Sequence, residues 1–166
     1  MKLCILHSQS CRTFTANEIS FILNVLNDVK AWPVGRWTLT SRPQDSDWSI
    51  ALEMPSQIQT ECLENKFSNC SSFGKLSVTY MSEKPRRTTF NYKNWTKVPD
   101  PVKDIYTLED YRIYLVLHEC GHALGLGHKT CRPGNPAPIM LQHSLGLKGC
   151  EPNLWPLAEE KELLHL

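Results

Sequence analysis

Residues 118–128 constrain this chain more than any other stretch, reading His-Glu-Cys-Gly-His-Ala-Leu-Gly-Leu-Gly-His. Four residues of α-helix turn through about 400°, so His118 and His122 leave one face of a helix a single turn apart. Gly125 stands where that helix has to stop, because a residue without Cβ takes the left-handed conformation that commonly ends helices. The reversal brings His128 back towards the other two histidines. Glu119 is offset by about 100° from His118, so its carboxylate points beside the imidazole cluster and not into it.

Three imidazoles at this spacing suit Zn²⁺. We expect one Zn²⁺ per chain, held by His118, His122 and His128. Three neutral ligands leave a fourth position for water, whose pKa falls towards about 7 in such sites. Glu119 then has the place of a general base that takes the water's proton and passes it to a leaving amine. The expected activity is that of a zinc metallopeptidase acting on a peptide or protein. Two other readings share the motif: a zinc-stabilised binding module without turnover, and a hydrolase of a cell-wall peptide amide. Cys120 lies about 200° from His118 and is expected to face the core. His7 and His143 have no metal-ligand spacing to a partner and read as ordinary histidines, with His143 near enough to the site for a substrate contact.

The remaining pattern supplies a scaffold. Thr15 and Glu18 form a capping box, and Ile19, Ile22, Leu23, Leu26 and Val29 follow helical spacing, which predicts a long backing helix running to about Lys30. Residues 3–7, 36–41, 48–53, 76–81 and 88–92 are β-branched or aromatic-rich and separated by Pro, Gly, Asp and Ser, which predicts a mixed, twisted sheet of about five strands. Thr107 with Glu109 and Asp110 opens the helix that carries the histidines. Residues 129–154 are irregular, and 156–164 suit a short closing helix. The expected fold class is α+β, in one domain over 1–166: sheet and helices to residue 128, then an irregular C-terminal subdomain over 129–166.

Charge and cysteines narrow the partners. With 18 Lys plus Arg against 17 Asp plus Glu, the net charge of +1 gives no pull towards nucleic acid or an anionic membrane surface. No apolar run approaches the roughly 20 residues of a membrane span, and none suits a signal-peptide core, so a soluble monomer is expected. Seven cysteines, at 4, 11, 62, 70, 120, 131 and 150, lean towards an oxidising or extracellular setting, although an odd count leaves at least one unpaired. Cys131 and Cys150 suit either a disulfide or part of a second zinc site, and two thiolates alone make a poor zinc site. Asn69-Cys70-Ser71 and Asn94-Trp95-Thr96 match glycosylation sequons and receive no role.

The motif of His118–His128, followed twelve residues later by Met140 in Pro138-Ile139-Met140, resembles the metzincin clan of zinc peptidases. The resemblance implies that Met140 sits in a tight turn as an apolar floor below the zinc. It also makes residues 76–81 a candidate edge strand along which an extended substrate binds. More closely, the chain is similar to a bacterial metzincin-like domain family of unassigned function. That likeness rests on Tyr111-Arg112, Pro136-Ala137-Pro138-Ile139-Met140, Gly146-Leu147, Gly149-Cys150 and Pro152-Asn153-Leu154-Trp155-Pro156, and extends more weakly back to Phe14. It implies the disulfides Cys62–Cys70 and Cys131–Cys150. Two departures stand out: Lys129 after His128 fits none of the best-known subfamily signatures, and no tyrosine follows Met140 where some subfamilies place one.

Overall fold

The computed structural model describes residues 1–65, 70 and 74–164. Five strands form one mixed sheet in the order β2-β1-β3-β5-β4: β1 Lys2–Ile5, β2 Thr38–Thr40, β3 Trp48–Glu53, β4 Val78–Tyr80 and β5 Arg86–Asn91. The first four strands of that order run parallel, and β4 alone pairs antiparallel, against β5 at the edge. Among the described residues five α-helices accompany them: α1 Ala16–Leu26, α2 Pro55–Glu64, α3 Tyr92–Thr96, α4 Leu108–Ala123 and α5 Ala158–Lys161. The α+β class and the mixed five-stranded sheet agree with the sequence reading.

The periodicity of β3 explains its place in the middle of the sheet. All six of its residues are buried, as expected for a strand covered on both faces. Trp48, Ile50 and Leu52 alternate onto one face and join a core cluster with Ile22 and Leu26 of α1, Phe90 of β5 and Leu115 of α4. Phe14 presses edge-on against both Phe90 and Trp95. At the start of α1 the expected capping box is present, with Glu18 bonded back to Thr15 N–H. The same carboxylate takes Arg12 and the Trp95 indole, so the cap also fastens α1 to the loop before it and to α3.

Some boundaries differ from expectation. α1 ends at Leu26 and not near Lys30, because the Asn27 side chain donates to Leu23 O and accepts from Trp37 N–H; Val29 is left 97 % exposed, off the helix. Helix α2 was not anticipated. Pro55 at its first turn and the i, i+4 pair Ile58 and Cys62, both fully buried, are its sequence signal. Tyr92 belongs to α3 and not to a strand, because Asn91 caps that helix through Lys93 N–H. The closing helix is short, Ala158–Lys161 followed by a 3₁₀ turn over Glu162–Leu164.

From residue 129 to 157 the chain has a single 3₁₀ turn, His143–Leu145, and one isolated bridge between Pro136 and Glu151, as the Gly, Pro and Asn content predicted. Disulfides join Cys131 to Cys150 and Cys62 to Cys70, while Cys4, Cys11 and Cys120 are free. Among the described residues no helix is long and apolar enough to cross a membrane. Asn94 of the second sequon is buried with its amide donating to Lys75 O, and Asn69 and Ser71 of the first lie outside the described residues.

Candidate metal centre

Helix α4 begins at a capping box between Thr107 and Asp110 and is buried on nearly every side from Tyr111 to Gly121. A helix buried all round needs cover on both flanks. The sheet supplies one and the irregular C-terminal segment the other. The end of α4 is shaped by Gly125, which adopts φ +103°, the left-handed region that glycine tolerates. Arg86 of β5 donates to Ala123 O, satisfying one of the carbonyls that a helix end leaves open.

The reversal brings the three histidines together. Nε2 of His122 lies 3.2 Å from Nε2 of His118 and 3.1 Å from Nε2 of His128. Nδ1 of His118 lies 2.7 Å from Ile139 O, and Nδ1 of His122 lies 2.8 Å from Leu126 O. A carbonyl oxygen only accepts, so both Nδ1 atoms carry the proton and both Nε2 atoms present lone pairs. Lone pairs facing each other at this range repel unless a cation lies between them. Ligands about 2.0–2.1 Å from a tetrahedral ion stand about 3.3 Å apart, close to the spacing seen. Burial lowers the pKa of His118 well below the usual histidine value, aided by the neighbouring His122. Burial also lowers those of His122 and His128. Neutral imidazoles are the form that binds metal, and the cluster can hold a metal ion.

Glu119 is 3 % exposed and stands outside the cluster. Its Oε2 accepts a 2.6 Å bond from Thr79 Oγ1 on β4. Burial pushes its carboxyl up to about 7, against the opposing effect of that bond. The three histidines and Glu119 line a cavity of about 390 Å³ whose other walls include Val78 and Thr79 of the edge strand, Ser77 just before that strand, Leu115 of α4, and Gln142 and Ser144 of the C-terminal segment. Cys120 is fully buried, away from this cavity, and burial pushes its thiol up.

Met140 is fully buried in a turn closed by Leu141 N–H to Pro138 O. Its Sδ packs so closely on Gly121 that a Cβ there would overlap it. Two backbone links join this turn to the histidines: Ile139 O takes His118 Nδ1–H, and Met140 O takes Lys129 N–H. Lys129 thus contributes its backbone here. Where a tyrosine is absent after Met140, Gln142 lines the cavity with a side-chain amide that has no hydrogen bond among the described residues.

Sequence reasoning missed several supporting residues. Glu160 of α5 is 1 % exposed and accepts from Ile139 N, Met140 N and Leu157 N, clamping the turn. The Trp32 indole donates to Leu117 O inside α4. His143, expected to be an ordinary histidine near the site, is fully buried. Its ring stacks on Tyr114 at 4.1 Å, with Nε2 on Pro138 O and Nδ1 on the Tyr106 hydroxyl. His7 is exposed. Only the acid three positions after Leu157 hinted at Glu160, as a helix-start signal; its reach across 20 residues has no local signature.

Fold and site together define a mixed α+β protein with a three-histidine cluster, buried at His118 and open to solvent at His128, that could hold a metal ion. The family model described as a protein of unknown function (DUF3152) matches residues 15–161, and the chain belongs to that family. No curated protein matches it significantly.

Proposed function

We propose that the protein is a zinc-dependent peptidase of the metzincin type. One observation carries the reading: three Nε2 atoms converge, two of them with lone pairs set by Nδ1–H bonds to carbonyls, beside a buried carboxylate that takes no part in the cluster. His118, His122 and His128 would hold the zinc, which when bound supplies Lewis acidity towards water and a peptide carbonyl. Glu119 is the general base. With Oε2 occupied by Thr79, Oε1 takes the proton of the attacking water and returns it to the leaving amine nitrogen.

The substrate we propose is an extended peptide or protein segment. Among the described residues β4 pairs on one side only, with β5, and Ser77, Val78 and Thr79 line the cavity, so backbone addition along the outer edge of β4 carries a peptide past Glu119. The two disulfides are compatible with work in an oxidising or extracellular setting.

Purified protein incubated with a peptide library, with and without a chelator, tests this, with cleavage read by mass spectrometry and zinc by elemental analysis. One zinc per chain and chelator-sensitive cleavage are expected. Glu119→Gln should keep its zinc and lose about 10²-fold or more in turnover. Wild-type turnover in that variant, or no chelator-sensitive cleavage by the parent protein, would sink the reading.

A further inference from the structure

Three hydrogen bonds in series run from the apolar core to the cavity. The Trp48 indole Nε1 donates to Thr88 Oγ1 at 2.8 Å, Thr88 Oγ1 lies 2.6 Å from Thr79 Oγ1, and Thr79 Oγ1 donates to Glu119 Oε2 at 2.6 Å. Trp48 and Thr88 are fully buried. Elementary donor counting gives the series one direction. An indole N–H can only donate, and each threonine hydroxyl has one proton, so Thr88, which accepts from the indole, has its own proton left for Thr79. Thr79 gives its proton to Glu119, so the proton between the threonines belongs to Thr88, which in turn receives the indole's.

Sheet register makes this possible. Thr79 and Thr88 are direct partners across the antiparallel pair of β4 and β5, so their side chains share a face. Trp48 lies on neighbouring β3, two residues before Ile50, the partner of Thr88. Among the described residues no second hydrogen bond holds the Glu119 carboxylate, and its own helix supplies none.

We propose that Trp48, Thr88 and Thr79 form a one-way hydrogen-bond chain that fixes the rotamer of Glu119, making Thr79 a positioning residue for the base. The inference rests on the peptidase reading above for its catalytic consequence but not for its geometry. It also assigns β4 two tasks, since the strand with the open edge aims the carboxylate as well.

Thr79→Val keeps the shape and removes the hydroxyl, and Thr79→Ser keeps the hydroxyl and removes the methyl. With peptide substrate and zinc, Thr79→Val should lower kcat by about 10- to 100-fold, the loss expected for one bond to a charged group. KM should stay within about twofold and zinc content should not change; Thr79→Ser should recover most of kcat. Thr88→Val should fall between, because Thr79 keeps its proton but loses the donor behind it. In the metal-free protein, three-bond couplings of Glu119 measured by NMR should report one rotamer in the parent and in Thr79→Ser, and averaging in Thr79→Val. The proposal is overturned if the valine variant keeps a single Glu119 rotamer, if its kcat equals the parent's, or if serine recovers nothing. Should the parent cleave no peptide, the peptidase reading fails and the couplings alone still decide the chain. If Thr79→Val does not fold, Thr88→Val carries the same comparison.

Discussion

Replacing Glu160 with Gln exchanges one carboxylate oxygen for an amide donor at a place where three backbone N–H groups converge. Oε1 accepts from Met140 N at 2.8 Å, and Oε2 accepts from Ile139 N at 3.0 Å and Leu157 N at 2.9 Å, with the residue 1 % exposed. Whichever oxygen is replaced, at least one N–H loses its acceptor and meets a donor. Stranding a buried N–H costs about 1–3 kcal/mol, and turning the remaining bonds from charged to neutral adds roughly 1 kcal/mol, so the expected loss is about 2–4 kcal/mol. At about 2–4 °C per kcal/mol for a chain of this size, Tm should drop by roughly 5–15 °C. Ile139 O orients His118 through Nδ1, so zinc affinity should fall by about 10- to 100-fold, as when a partner of a metal-bound histidine is lost. Thermal unfolding followed by circular dichroism in chelator and a competitive zinc titration measure the two effects. A Tm within about 2 °C of the parent's would refute the clamp, and a lowered Tm with unchanged zinc affinity would refute its link to His118.

Two further outcomes follow from packing and from burial. Gly121→Ala should destabilise by about 1–3 kcal/mol through overpacking, because its Cβ would meet Met140 Sδ and stand 3.0 Å from Trp32 Cζ2; glycine-to-alanine changes inside helices ordinarily stabilise by about 1 kcal/mol, so a rise in Tm would refute the close contact. Burial pushes His143 down to about 4 from 6.5, so between those values the unfolded chain binds the proton and the folded one does not. Stability from this residue is therefore complete above about pH 6.5 and lost progressively as pH falls to about 4, by ~3 kcal/mol in all. Urea unfolding of metal-free protein at pH 7.5 and pH 5 should show a smaller decrease for His143→Gln than for the parent, and equal decreases would contradict the assignment.

The elements read most easily were those whose signal is local. The capping boxes of α1 and α4 need only residues three apart, and His118, His122 and Gly125 follow from the helical repeat and from how a helix ends. The all-buried β3 showed as a compact run of Trp, Ile and Leu with matching boundaries. Helix α2 was harder because Ser56, Gln57, Gln59 and Thr60 dilute its apolar pattern to Ile58 and Cys62. The sequence predicts too long an α1 because Val29 fits the helical spacing, while the Asn27 bonds that stop the helix reach Trp37, ten residues away.

The candidate site divides along the same line. The sequence names the three histidines and the carboxylate beside them, since a helix and one turn are enough to bring those side chains to one place. It does not name what holds them. Ile139 O on His118, Glu160 under the Met140 turn, and Thr79 on Glu119 join positions 21, 20 and 40 residues apart. Such contacts have no periodicity to read. They depend on which strand lies at the sheet edge, in what register, and on how an irregular segment folds back over a helix, and only the packing of the whole chain decides these.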